Sequence, residues 1–146
     1  NLGARAVRAD SEDRANGNTA DKAIDGDPWT IWHTAWGAVD DPYPHELTVD
    51  MGREIEAIGV RILPRQDMAN GWFTRCEVRL SGDGQAWGAP AAAGRLAGDA
   101  EEKRLLFERP ARGRFLRLTA LEGFGGRPFA AIAELDVILE ERRRRE

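Results

Sequence analysis

A chain of 146 residues, 42% hydrophobic and 32% charged, has the size and composition of one globular domain, able to bury roughly two-thirds of its unfolded surface in a single core. Its 21 basic and 25 acidic residues leave a net charge of −4, which speaks against nucleic acid as a partner, because phosphate binding needs a clustered basic face. No apolar run approaches the roughly 20 residues that span a bilayer, and the N-terminus lacks the charged-then-apolar pattern of a signal peptide, so a mature secreted fragment and a cytosolic domain both stay open.

In chain order, the first element is short. "RANGNTADKAI" holds at most a helical turn, and the sequence predicts no long helix. Alternating apolar positions then predict strands in "ELTVDM" (Leu47, Val49 and Met51 inward), "AIGVRIL" (Ile58, Val60, Ile62), "CEVRLS" (Cys76, Val78, Leu80), "RLLF", "FLRLTA" (Leu116, Leu118, Ala120) and "AELDVIL" (Ala133, Leu135, Val137, Leu139). Turn signals separate them: "DMGRE", "ANGW", "SGDGQAWGAP", "ERPARGR" and "EGFGGRP". Short strands between such turns predict an all-β fold, an antiparallel sandwich or barrel. The domain is expected to run over residues 1–139, with 140–146 ("EERRRRE" from 140) a solvated tail or linker stub. Cys76, the single cysteine, reads as a buried, inert thiol. Without a disulfide, stability must come from the core or from a metal.

Two clusters stand apart from the strands. In "AIDGDPWT", Asp25, Asp27 and Thr30 offer side-chain oxygens at offsets 0, 2 and 5 around Gly26, a donor set suited to a hard cation such as Ca²⁺ but with the wrong spacing for an EF-hand. Asp-Gly-Asp is equally a good turn. "WHTAW" then places His33 and Trp36 three apart, and "LPRQDMANGW" supplies Arg65, Gln66, Asp67, Asn70 and Trp72 on a later loop. An imidazole, a guanidinium and a carboxamide form a fork suited to vicinal hydroxyls, while an indole face suits the C–H face of a sugar. The competing assignments are a structural His33, an Arg65–Asp67 ion pair and an ordinary Asn-Gly turn. Trp29, Trp32 and Trp87 are assigned to packing, and His45 to a structural role.

The order of "AIDGDPWTIWHTAW", "PHELTVDMG", "ILPRQDMANG", "VRLSGDGQAWGAP", "RFLRLTALE" and "PFAAIAELDV" resembles the discoidin, or coagulation factor 5/8 type C, superfamily, and most closely carbohydrate-binding module family 32. The resemblance runs from about Asp10 to Val137. It implies a galactose-binding-domain-like jelly roll with one structural calcium ion, held by the side chains of Asp25, Asp27, Thr30 and Glu134 and by carbonyls near Lys22, Thr30 and Ala133. It also implies a sugar site at one end of the sandwich. There His33 and Arg65 bond ring hydroxyls with Asn70 alongside, and Trp36 and Phe129 frame or stack on the ring. Many relatives carry an acid where this sequence places Asn16, with Glu12 and Asp13 nearby. Trp72 and Phe124 form either a second subsite or the pocket wall.

The function implied is a non-catalytic module recognising terminal galactose or N-acetylgalactosamine on glycans. It would be secreted or at the cell surface, monomeric, and covalently joined to a glycan-active catalytic domain, with no nucleic-acid partner and no membrane as its target. Truncating His33 or Arg65 is expected to abolish binding and leave the melting temperature nearly unchanged. The alternatives are a discoidin-type module binding protein or lipid through loop-tip aromatics, for which Trp72 or Phe124 would serve, and a small glycosidase with paired acids.

Overall fold

The computed structural model describes residues 6–38 and 40–139; the expected charged tail at 140–146 lies outside them. Among the described residues there are eight strands: β1 (Ala6–Ala9), β2 (Trp32–His33), β3 (His45–Leu63), β4 (Phe73–Ser81), β5 (Ala92–Arg95), β6 (Lys103–Gly123), β7 (Ala131–Ile132) and β8 (Glu134–Ile138). A 3₁₀ turn at Ala20–Ile24 falls inside "RANGNTADKAI", and a second covers Phe124–Gly126. All pairings between the named strands are antiparallel.

The two long strands build the sandwich. The first half of β3 pairs with β1 and with the second half of β6, from His45 opposite Ala120 to Asp50 opposite Phe115. Its second half pairs with the first half of β6 and with β8. β4 and β5 extend the first of these layers. Between the layers the register jumps from Asp50/Phe115 to Ile55/Gly113. "DMGRE" and "ERPARGR" are therefore corner bends inside β3 and β6, not the chain reversals expected, and four predicted strands merge into two. Pro110 fits because residues 107–110 are skipped in the pairing, where its missing N–H costs no ladder bond.

A second jump, between Ala57 and Gly59, flips which side chains face inward. Ile55 and Ala57 are buried before it, and Val60 and Ile62 after it, while the expected inward Ile58 is only half-buried. Leu139, also expected inward, is 40% exposed just past the end of β8. Leu80, also expected inward, is only partly buried against the core, whereas Leu47, Val49, Met51, Cys76, Val78, Leu116, Leu118, Ala120, Leu135 and Val137 join Trp32 inside it as expected. Each large apolar side chain there contributes about 1.5–3 kcal/mol by leaving water.

Trp32 is fully enclosed and donates its indole N–H to the Ser11 carbonyl oxygen at 2.9 Å. Trp29, assigned to packing, is instead 75% exposed. Its backbone N–H caps the Asp27 carboxylate at 2.9 Å, which fixes the turn without burying the ring. The Arg117 guanidinium carbon lies over the Trp87 ring, 4.2 Å from the ring centre.

Candidate functional site

Four segments meet at one end of the sandwich. β2 pairs with β7, His33 opposite Ala131. On the other side of β2 the Asp13–Asn18 loop docks, its Asp13 N–H on the His33 carbonyl at 2.8 Å and the His33 N–H on the Asn18 carbonyl at 3.1 Å. The Arg65–Trp72 loop is tied to β7 by the Ala131 N–H on the Gly71 carbonyl, 2.8 Å. Gly71 has φ of +99°, and a Cβ there would lie 2.4 Å from that of Ala131, so only glycine permits this approach.

His33 is 4% exposed and its ring stands 5.4 Å from that of Phe129, tilted by 40°. Burial, with the Arg65 charge adding to it, holds the imidazole below its ordinary value against the smaller pull of the Thr34 carbonyl and Asp13. The ring is neutral at pH 7. Nδ1 lies 2.6 Å from the Thr34 carbonyl oxygen, which can only accept, so the proton sits on Nδ1 and Nε2 is an acceptor. Nε2 has no partner among the described residues, and no buried polar side-chain atom there is left unpaired; this lone pair therefore faces outward.

Arg65 donates from Nε to Asp67 Oδ1 at 2.7 Å, from Nη2 to Oδ2 at 3.5 Å and from Nη1 to the Asn70 carbonyl at 3.3 Å. The ion pair expected as an alternative thus coexists with a guanidinium close enough to His33 for its charge to act on the imidazole. Asn70 accepts at its side-chain oxygen from Arg127, a residue sequence reasoning passed over. Trp36 is 52% exposed, with its indole N–H fixed on Asp13 Oδ2 at 2.9 Å. The anchored edge leaves the ring face open.

Asn16 is exposed and donates its amide to both Asp13 oxygens, at 3.1 and 2.9 Å; the acid at the centre of this loop is Asp13. Asp13 is buried, which opposes its charge, but N–H donors from Asn16, Trp36 and Asn18 outweigh burial and hold its carboxyl below the usual range. The signal available in the sequence was the Asp-x-x-Asn-x-Asn spacing of a self-capping turn. Trp72 packs edge-on against Phe124, ring centres 5.4 Å apart, and its indole N–H is taken by the Arg65 carbonyl at 2.8 Å. That placement supports the Arg65 loop, which is what a wall residue does.

The acidic loop follows the 3₁₀ turn at Ala20–Ile24 and is tied to β8. Gly26, at φ +78°, makes the reversal, and its N–H donates to Glu134 Oε1 at 2.7 Å. The Thr30 hydroxyl donates to Asp25 and lies 3.2 Å from the Asp27 carbonyl. Burial first, and then the Asp25 carboxylate beside it, push the Glu134 carboxyl up to about 7. Burial also opposes charge on Asp25, but hydrogen bonds from Thr30, the Asp27 N–H and Glu134, with Lys22 nearby, keep it below the usual range. A cation would relieve that crowding, and the donors are all oxygen, which fits a hard ion. The Asp27 carboxylate, however, caps the Trp29 N–H, and among the described residues no three acid, His or Cys side chains gather around one point. Backbone carbonyls, with Lys22 in the 3₁₀ turn and Ala133 just ahead of β8 among their carriers, would have to complete the shell.

Depressions of about 310 Å³, bordered by Arg8, Gln85 and Phe115, and of about 430 Å³, bordered by Asp10, Arg14 and Asp41, lie apart from His33. Neither is lined by a tryptophan, by His33 or by Arg65, so the His33 cluster is the better candidate on its chemistry.

Residues 6–135 match the family described as the F5/8 type C domain. A galactose oxidase of Gibberella zeae is 46% identical over 135 residues, 90% of this chain and 19% of that protein. A sialidase of Micromonospora viridifaciens is 39% identical over 131 residues, 88% of this chain and 20% of that protein. The chain thus spans about a fifth of the length of these relatives. Among solved structures, a CBM32 module from Clostridium perfringens in complex with GalNAc-β-1,3-galactose superposes with a TM-score of 0.83 at 35% identity, covering 91% of this chain and 94% of that one. The family 32 CBM of C. perfringens NanJ, in complex with galactose, gives 0.79 at 32% identity, covering 90% and 91%. With its antiparallel sandwich and these relatives, the chain belongs to the F5/8 type C, discoidin-like family, in the neighbourhood of the CBM32 modules.

Proposed function

We propose that this chain is a non-catalytic carbohydrate-binding module for terminal galactose or N-acetylgalactosamine, working as a monomer outside the cell and tethering a covalently attached glycan-active domain to its substrate. The observation that carries this reading is the neutral His33, its Nε2 acceptor outward, beside the Arg65 donors and the open face of Trp36. Acceptor and donors together read adjacent hydroxyls, and an aromatic ring covers the apolar C3–C6 face that an axial 4-hydroxyl leaves on galactose. Relatives that are a galactose oxidase and a sialidase, and neighbours solved with galactose and with a GalNAc disaccharide, support it. A shallow site with one stacking ring binds weakly, about −4 to −5.5 kcal/mol.

Calorimetry of the chain with galactose, N-acetylgalactosamine and glucose tests this. Galactose and its N-acetyl derivative should bind at least about tenfold more tightly than glucose, whose 4-hydroxyl is equatorial. Equal affinities for all three sugars would overturn the assignment. Release of a chromophore from a galactoside by the chain would favour the glycosidase reading instead.

For the acidic loop the reading is a structural calcium ion, bound by side-chain oxygens of Asp25, Asp27, Thr30 and Glu134 and carbonyls near Lys22, Thr30 and Ala133. The paired Asp25 and Glu134 carboxylates support it. The ion would fasten the loop to β8 and supply no chemistry to the ligand.

The 75% exposed Trp29 favours a second reading, a discoidin-type contact with protein or lipid. No helix of the described residues is long and apolar enough to cross a membrane, so such a contact would be peripheral. Co-sedimentation with phosphatidylserine vesicles, lost in Trp29→Ser, would establish it.

A further inference from the structure

His45 is fully enclosed, and both of its ring nitrogens face acceptors. Nδ1 lies 3.0 Å from Asp10 Oδ2, and Nε2 lies 2.7 Å from the Pro128 carbonyl oxygen. Neither oxygen carries a hydrogen, so both bonds form together only when the ring carries two protons. A neutral ring would leave a buried lone pair pressed against an acceptor, a costly arrangement. The other Asp10 oxygen accepts the Glu46 N–H at 2.7 Å, which fixes the carboxylate.

The groups facing His45 come from every side. Asp10 follows β1, Asp41 lies in the loop ahead of β3, Tyr43 stands edge-on with ring centres 4.6 Å apart, and His33 on β2 is close enough for the two rings' charges to oppose each other. Burial, the largest effect, works against the charge on His45, but the bonds to Asp10 and Pro128 and the charges of Asp10 and Asp41 outweigh it.

The bond to Pro128 grips the segment that presents Phe129. The other restraints there are neutral: the Tyr43 hydroxyl donates to the Phe129 carbonyl, the Ala130 N–H to Thr34 Oγ1 at 3.1 Å, and the Thr34 N–H to the Ala130 carbonyl at 3.0 Å. Phe129 in turn braces His33.

We propose that protonated His45 is a positioning residue of the ligand site, holding Pro128 so that Phe129 stays against His33, and that loss of its proton frees this segment and weakens the ligand. The inference rests on the carbohydrate reading above. A histidine favoured in its charged form contributes fully below its ordinary value of 6.5, and that contribution is lost as pH rises through the higher folded value.

Nitrogen-15 NMR of the ligand-free chain from pH 5.5 to 10 tests it. Both His45 nitrogens should be protonated at pH 5.5, and the Phe129 and Ala130 amides should titrate with the His45 ring. Across the same range the galactose Kd should rise by about three- to tenfold, and His45→Gln, which does not titrate, should bind without that alkaline limb. A neutral His45 at pH 5.5, Phe129 and Ala130 amides that ignore the ring, or an alkaline limb that persists in His45→Gln would each overturn the proposal. If galactose binds at no pH, the carbohydrate reading fails, and the ligand-free titration still decides whether His45 governs Phe129.

Discussion

Arg65→Ala separates recognition from folding. A guanidinium has five N–H donors; three are engaged, two with Asp67 and one with the Asn70 carbonyl, and five minus three leaves two for ligand hydroxyls. Losing two hydrogen bonds from a charged donor costs about 3 kcal/mol, a factor of about 150. A module that starts near a Kd of about 0.1–1 mM would fall to roughly 15–150 mM, beyond calorimetric detection. The fold should barely register the change. The partner Asp67 side chain is 57% exposed, such pairs contribute about 0–1 kcal/mol, and a melting-temperature drop of about 3–5 °C is the ceiling this allows. Trp72 still pins the loop through the Arg65 backbone carbonyl, a bond alanine keeps. Arg65→Lys, which retains charge but not the fork, should sit between the two. The assay is calorimetry with galactose beside differential scanning calorimetry. A Kd within threefold of wild type in Arg65→Ala would refute the reasoning, and a melting drop beyond about 10 °C would assign the lost binding to the fold. His33→Ala does not offer the same separation expected from sequence, because the ring is buried and supports Phe129; it should lower stability by about 1–3 kcal/mol as well as affinity.

If the calcium reading holds, EDTA should lower the melting temperature by about 8 °C relative to protein in metal at 100 times its Kd, and Asp25→Ala should match that loss without chelator; an unchanged melting curve in both would remove the metal from the account. Asp13→Ala should cost about 1–2 kcal/mol in urea unfolding, because it removes the acceptor of the partly buried Asn18 and Trp36 donors, which water can partly replace, and should weaken galactose by freeing Trp36. Cys76, fully enclosed and with its thiol pushed up to about 12 by burial and by Glu77, should resist maleimide in the native protein and react promptly in denaturant; rapid native labelling would contradict the core assignment.

Alternation was enough to find β3, β4, β6 and β8, because each presents a face to a common core; β1, β2, β5 and β7 were missed, since strands of two to four residues are too short to show a period. It was not enough to find the corners. Gly, Pro and Asn mark a bulge as readily as a reversal, so "DMGRE" and "ERPARGR" carried no sign that β3 and β6 pass straight through them. Ile58 was misplaced for the same reason: the bulge at Ala57–Gly59, where two steps along β3 face five along β6, leaves the sequence pattern intact while exchanging the two faces. Trp29 shows that residue type alone does not decide burial. In the site, His33 and Trp36 were legible because they are three apart on one segment. Asp13 was legible only as an acid of its own loop, through the Asp-x-x-Asn-x-Asn spacing; its bond from Trp36, 23 residues on, and that of Arg127 to Asn70, 57 residues back, were not, since each partner comes from another loop.

The stretch from Asp25 to Trp36 joins the acidic loop to the ligand site, and continuity suggests that the first must be fixed before the second can form. The hydrogen bonds argue otherwise. His33 is held through its own backbone by Asp13 and Asn18 on one side and by β7 on the other, and Trp36 is held by Asp13; none of these bonds passes through Asp25, Asp27, Thr30 or Glu134. Between the two, Ile31 and Trp32 are buried and anchor the chain independently. Opening the acidic loop would therefore cost the protein its tie to β8 while leaving the ring, its tautomer and the indole where they are. Well below the melting temperature, galactose affinity should then change by less than about twofold on chelation, even as thermal stability falls. A parallel loss of both would mean that the two halves of the segment are coupled through contacts other than these hydrogen bonds.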